Sequence, residues 1–301
     1  MNANAAKKPG TIKLWVEGAR LRTLPLAVAP IAIGAGAASA VDKFDATLTL
    51  FALAVSLFLQ IGVNYANDYS DGIRGTDEFR VGPLRLTGSK SVRPQAVKFA
   101  AFLFFALAAF SGLAIVLITQ QWWFIAVGIA AIVAAWFYTG GKSPYGYSGQ
   151  GEIAVFIFFG LVATYGTAFI QILAFDLNAL MGSIAAGCFA SAVLMVNNIR
   201  DIDTDVKASK RTLAVKLGKK KAKALYYAML WAPMAILLPY PLIYPATFFA
   251  FAVLLLVVPA TIIVAKAESP RDLILALKLT SFASLGYALL FGMGLAPFNV
   301  S

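Results

Sequence analysis

Histidine is absent from this chain of 301 residues, which removes imidazole both as a general base and as a metal ligand. Cysteine occurs once, at Cys188 within an apolar run, so neither a disulfide framework nor a thiolate cluster can form. A buried, inert thiol is the expected state. Charge is scarce too, at 13% of residues against about 25% in a soluble domain. No G-x-x-x-x-G-K-[ST] loop occurs, so use of a nucleoside triphosphate is unsupported. Met1 to Gly10 is polar and lacks an apolar core, so no cleavable signal peptide is expected.

Apolar sequence fills the space that charge leaves. Hydrophobic residues make up 60% of the chain, and the mean hydropathy is +0.79. The class is therefore an all-α integral membrane protein whose length suits one bundle. Nine segments reach the usual spanning length, near residues 21–41, 46–66, 95–118, 121–139, 151–173, 178–198, 222–237, 241–265 and 273–296. Pro233, Pro239, Pro241 and Pro245 divide the seventh from the eighth.

The net charge of +11 could suggest nucleic acid, but its distribution points to a lipid bilayer instead. With the N-terminus in the cytoplasm, 24 of the 25 Lys and Arg residues fall on the cytoplasmic side, and only Lys43 falls opposite. That asymmetry fixes the orientation. Lys216 to Lys223 reads as a basic collar on anionic lipid, and Trp122 and Trp123 read as anchors at the opposite interface.

Two acidic stretches stand out against this background. The first, Asn64 to Lys90, reads N-Y-A-N-D-Y-S-D-G-I-R-G-T-D-E-F-R-V-G-P-L-R-L-T-G-S-K. It gathers Asp68, Asp71, Asp77 and Glu78, followed by Arg74, Arg80, Arg85 and Lys90. Asn67 and Asp71 are four residues apart and share one face of a helix. The second, Asn197 to Asp205, reads N-N-I-R-D-I-D-T-D. The stretches end spans two and six, so four spans separate them and both emerge on the cytoplasmic face.

Clustered carboxylates repel unless cations lie between them. Two facing sets could hold Mg²⁺ bridged to a diphosphate, with neighbouring Arg and Lys on the outer oxygens. Solvated helix ends neutralised by those same cations are the plainer alternative. The leaving diphosphate would belong to a lipid whose tail lies among the spans. The stretch Tyr138–Glu152 puts Lys142, Tyr145 and Tyr147 on the same face, either as an interfacial aromatic belt or as a lid contacting diphosphate or acceptor.

The pair N-D-Y-S-D-G-I-R-G-T-D and N-N-I-R-D-I-D-T-D resembles the aspartate-rich motifs of the UbiA superfamily of intramembrane prenyltransferases. Further segments resemble its menaquinone-forming branch: R-V-G-P-L-R-L-T-G-S, K-R-T-L-A-V-K-L-G, R-L-R-T-L-P-L-A-V-A-P and Y-T-G-G-K-S-P-Y-G-Y-S-G-Q-G-E. The resemblance covers the chain after about Trp15. It implies a nine-helix bundle around a central cavity capped by cytoplasmic loops. Residues 1–20 would be a cytoplasmic segment and 21–301 the transferase domain.

Asn67, Asp71 and Asp77 match the first motif, and Asp201 and Asp205 the second. Asn67, Asp71, Asp201 and Asp205 are the expected catalytic residues. These four with Asp68 and Asp77 are the candidate Mg²⁺ ligands. Arg74, Arg85, Arg200, Lys210, Lys142 and Tyr145 are the candidate diphosphate contacts. The third acid is displaced to Asp77, with Gly75 in its usual place, and Leu21 and Gln150 also depart from the pattern.

The implied reaction moves a polyprenyl group from its diphosphate to 1,4-dihydroxy-2-naphthoate at the inner (plasma) membrane, with loss of CO₂. Other acceptors on the same architecture (4-hydroxybenzoate, a sugar phosphate, haem or a chlorophyll precursor) and a non-catalytic lipid-diphosphate transporter are the rival readings.

Overall fold

The computed structural model describes residues 11–76 and 85–296, and no β-strand occurs among them. Helix α1 (Thr11–Ala19) leads through a 3₁₀ turn (Leu21–Thr23) into α2 (Pro25–Ala40). Helices α3 (Ala46–Arg74), α4 (Pro94–Thr119) and α5 (Phe124–Phe137) follow. Next, α6 (Gly151–Val155) runs through a π-helical stretch (Phe156–Tyr165) into α7 (Gly166–Ile172). Then come α8 (Leu177–Arg200), the short α9 (Ile202–Lys207), α10 (Leu213–Leu237), α11 (Leu254–Lys266) and α12 (Asp272–Leu295).

Local chemistry sets the ends that matter. Asp45 starts α3 by accepting the Leu48 N–H at 2.8 Å, and Asp176 starts α8 by accepting the Ala179 N–H at 2.6 Å. Each satisfies a helical donor that would otherwise lack a partner. Pro25 and Pro94 open α2 and α4, where the missing N–H costs nothing. Gly75 closes α3 at φ +73, a left-handed cap that suits glycine.

Seven of these helical segments are long and apolar enough to cross a membrane. The count becomes eight when α1 with its 3₁₀ turn and α2, bent by 48°, are taken as one span. Helices occupy all nine expected places, but nine full spans are not established. Helix α5 has 14 residues and is about 21 Å long, short of the roughly 30 Å hydrocarbon core. The expected seventh span starts earlier, at Leu213, and kinks at Gly218, where φ is +71.

Helix α8 is the central post, with 72% of its apolar window buried. Small residues let its neighbours and theirs approach backbone to backbone, as in membrane bundles generally. A methyl added to Gly36 of α2 would lie 2.3 Å from the Gly292 carbonyl oxygen of α12. One added to Gly160 would lie 2.7 Å from Gly187 of α8. This packing leaves a central cavity of about 610 Å³.

Candidate active site

Helix α3 delivers its acidic residues to one end of the cavity, one turn at a time. Asn64 lies deepest and donates from Nδ2 to the Ala19 carbonyl at 2.9 Å and to Thr23 Oγ1 at 3.1 Å. This pins the end of α1 against α3. Next, Asn67 Oδ1 accepts the Thr139 hydroxyl at 2.7 Å. One turn further, Asp71 is buried and receives the Tyr147 hydroxyl. Lys210 Nζ approaches its Oδ1 to 3.5 Å, and Arg85 Nη2 approaches Oδ2 to 3.8 Å.

The second motif arrives from the end of α8. Asp201 and Asp205 line the same cavity as Asn67 and Asp71. Asp205 Oδ2 takes the Thr212 hydroxyl at 3.3 Å. Lys210 Nζ sits 4.5 Å from the centre of the Tyr147 ring, close enough for cation–π attraction. Both motifs thus meet at one mouth, which Tyr145 and Tyr147 cover from the loop between α5 and α6. Tyr145 donates to the Ala134 carbonyl at 2.8 Å. Burial pushes its phenol up to about 12. Burial, then the charge on Asp71, pushes the Tyr147 phenol up as well.

Seven expected residues therefore line the cavity: Asn67, Asp71, Arg85, Tyr145, Asp201, Asp205 and Lys210. Four others are turned elsewhere. Asp68 is buried at 1% exposure and spends its two oxygens on the Leu86 and Thr87 N–H groups, each at 2.8 Å. It shapes the turn that presents Arg85 and stands off the cavity wall. Arg74 reaches back to the carbonyls of Thr139 and Gly141, clamping the covering loop. Arg200 makes a bidentate pair with its neighbour Asp201 at 2.7 and 2.6 Å and also bonds Asn197 at 2.9 Å. Lys142 is exposed at the surface of the loop. Asp77 lies outside the described residues.

Sequence reasoning singled out Asn64 but missed the polar side chains grouped with it in the cavity. Arg20, Arg22, Thr23, Gln60 and Asn64 all line it. Gln60 Nε2 donates to Thr23 Oγ1 at 2.9 Å. Arg20 holds a left-handed backbone, φ 54 and ψ 61, and its Nη2 is buried without a hydrogen-bond partner. A buried donor left unpaired is costly, which makes Arg20 a candidate contact for an acidic ligand. The signal was the pair of arginines in R-L-R-T, set directly before an apolar span.

Among the described residues, no three acidic, cysteine or histidine side chains converge tightly enough to hold a metal by themselves. That suits Mg²⁺, which takes one or two protein carboxylates and completes its shell with water and substrate phosphate. Asp71 and Asp205, with Asn67 and Asp201 lining the same cavity, are the candidates for such a donor set.

Fold and site together define a helical membrane bundle with a central cavity lined by charged residues at one end and apolar residues within. The sequence profile of the UbiA prenyltransferase family matches residues 27–286. A 1,4-dihydroxy-2-naphthoate octaprenyltransferase of Mycobacterium tuberculosis is 52% identical over 72% of this chain and 74% of its own length. The Escherichia coli protein of the same name is 37% identical, over 74% of each. The solved structure of a UbiA homologue from Archaeoglobus fulgidus bound to GPP and Mg²⁺ superposes with a TM-score of 0.67. It is 15% identical and covers 92% of this chain and 99% of its own. The chain belongs to the UbiA prenyltransferase family and is a multi-pass membrane protein.

Proposed function

We propose that this chain transfers a polyprenyl group from its diphosphate to 1,4-dihydroxy-2-naphthoate, releasing diphosphate and CO₂ and giving demethylmenaquinone in its reduced form. One observation carries this reading: Asp71, Asp205, Arg85 and Lys210 converge at the mouth of a cavity whose remaining wall is largely apolar. A diphosphate head fits the mouth and a prenyl tail fits the wall. The naphthoate-specific relatives support the choice of acceptor.

Asn67, Asp71, Asp201 and Asp205 would hold Mg²⁺, whose positive charge would be available against the negative charge that builds as the leaving group departs. Lys210 and Arg85, which face Asp71 here, bind the outer phosphate oxygens. Arg20 and Arg22 receive the acceptor carboxylate beneath the diphosphate. The allylic carbon–oxygen bond breaks with its electron pair leaving on diphosphate, and the ring carbon bearing the carboxylate bonds to the allylic carbon. Loss of CO₂ returns an electron pair to the ring and restores its aromaticity. The apolar wall keeps water from the allylic cation, and the tyrosine-bearing loop covers the mouth. Positioning and preorganised charge are the protein's contribution.

We place the transferase domain at residues 21–301 and its mouth at the cytoplasmic face of the plasma membrane, with the preceding segment packed on α3 through α1 and carrying Arg20 to the cavity wall. The distribution of basic residues supports that orientation. Purified protein given polyprenyl diphosphate, Mg²⁺ and a panel of aromatic acceptors tests the reading by product mass. Prenylated, decarboxylated naphthoate is expected. Prenyl diphosphate binding without diphosphate release, under every acceptor, would point to a lipid-diphosphate carrier instead.

A further inference from the structure

Four carboxylates are buried among the described residues: Asp68, Asp71, Glu152 and Asp201. Asp71 and Asp201 belong to the mouth, and Asp68 gives both oxygens to backbone amides. Glu152 does neither. It is 2% exposed at the start of α6, and no lysine or arginine among the described residues pairs with it. Its Oε1 accepts Asn198 Nδ2 at 2.9 Å, and its Oε2 is buried with no partner. A carboxylate so poorly compensated costs stability, so packing does not explain it.

The side chain that Glu152 holds lines the cavity. Asn198 lies on the cavity wall, three residues before Asp201 on α8 and about 4.5 Å deeper along the helix. Asn64 stands the same three residues before Asn67 on α3, in the polar group that includes Arg20. Both asparagines thus sit one turn below the diphosphate end, where an acceptor ring lies if it is to meet the allylic carbon. The neighbouring Asn197 differs, because Arg200 takes its Oδ1. Glu152 Oε1 has no hydrogen to donate, whether the carboxyl is ionised or carries a proton on Oε2. It therefore draws the Asn198 amide nitrogen toward itself. Asn198 Oδ1 is left turned away and makes no hydrogen bond among the described residues.

We propose that Glu152 is a positioning residue: it fixes the Asn198 amide so that Oδ1 accepts a hydrogen bond from a ring hydroxyl of the aromatic acceptor. The proposal rests on the prenyl-transfer reading above. Such a bond raises electron density on the hydroxyl oxygen, and through it on the attacking ring, without any proton leaving the acceptor. It also distinguishes a hydroxyl from a group that has no hydrogen to donate.

The test compares 1,4-dihydroxy-2-naphthoate with its two monomethyl ethers as acceptors, in wild type and in Glu152→Gln. Dividing the variant's ratio of kcat/KM values by the wild-type ratio cancels methyl bulk and intrinsic reactivity. Glutamine keeps the shape but can donate to Asn198 Oδ1, which frees the amide to turn its nitrogen to the cavity. The expected result is a loss of about tenfold or more in preference for the free hydroxyl against one ether, with Mg²⁺-dependent prenyl diphosphate affinity unchanged. Combining Glu152→Gln with Asn198→Asp exchanges donor and acceptor, again leaves an oxygen toward the cavity, and is expected to recover the preference. A merely structural role would lower turnover of all three acceptors alike; that result, or a double variant that recovers nothing, would overturn the proposal. Asn198→Leu removes the oxygen itself and is expected to lose the same preference. A preference retained there overturns the proposal too, even where Glu152→Gln does not fold. So does a wild type that shows no preference for the free hydroxyl over either ether. A wild type that prenylates no acceptor would instead refute the prenyl-transfer reading.

Discussion

Asp71 and Lys210 stand 139 positions apart in the chain and 3.5 Å apart in space. Asp71 lies in the last turn of the long α3, and Lys210 follows the short α9 beyond the second motif. Their contact brings the motifs together at one mouth, and Tyr147 from a third segment closes on the same carboxylate. Without substrate, the lysine and Arg85 balance a buried negative charge. A diphosphate arriving with Mg²⁺ would exchange these partners, giving the cations phosphate oxygens and the carboxylate a metal.

Asp68 should matter for folding and not for metal. Asp68→Ala leaves the buried N–H groups of Leu86 and Thr87 without acceptors, at about 1–3 kcal/mol each. A lowered melting temperature in detergent is expected, with Mg²⁺ dependence retained in the folded fraction. Normal stability combined with lost Mg²⁺ dependence would return Asp68 to the metal site.

Arg20 should govern the acceptor. Arg20→Ala is expected to raise the acceptor KM by about tenfold or more, as loss of a charged hydrogen bond implies, and to leave donor affinity unchanged. Arg20→Gly fits the left-handed backbone without strain. Equal effects of the two changes would trace the loss to the guanidinium, whereas recovery in the glycine variant would trace it to the backbone.

The covering tyrosines should stay protonated across the working pH range. The Tyr145 phenol is raised from 10.0 to about 12, and the Tyr147 phenol is raised too. A raised folded-state value favours the protonated, folded form. The Tyr145 contribution is therefore complete below pH 10 and fades as pH climbs from about 10 to 12. Activity should show no phenol-linked loss below pH 9–10, and alkaline unfolding should begin above it, followed by phenolate absorbance. Early phenolate formation removed by Tyr145→Phe would contradict this.

The orientation can be checked with single cysteines in a Cys188→Ser background. Lys142 and Lys43 are both exposed and are expected on opposite faces. Labelling at residue 142 from the cytoplasm and at residue 43 from outside supports the arrangement; labelling both from one side would contradict it.

The class and the motif residues were legible in the sequence because hydropathy and charge asymmetry are strong in this chain. Asn67 and Asp71 also share a helical face whatever the packing. Side-chain reach was not legible. Arg74 and Arg200 belong to the same basic runs as Arg85 and Lys210, yet backbone carbonyls capture the first and the adjacent Asp201 captures the second. Asp68 looked like a ligand because composition cannot show that the following turn offers it two amides. Arg20 escaped notice because its importance comes from an unpaired buried nitrogen, which no spacing rule displays. The length of α5 was likewise hidden, since Trp122, Trp123 and Tyr138 extend its apolar run without extending its helix.

The central claim is that the two motifs act as one metal-dependent diphosphate site. Prenyl diphosphate affinity, measured across Mg²⁺ concentrations in wild type, Asp71→Asn, Asp205→Asn and the double variant, tests it most directly. Wild-type binding should tighten with Mg²⁺, and each single change should cost nearly as much as both, because residues acting as a unit are non-additive. Binding that is indifferent to Mg²⁺, with the two substitutions simply additive, would contradict the account and leave Lys210 and Arg85 as the diphosphate site on their own.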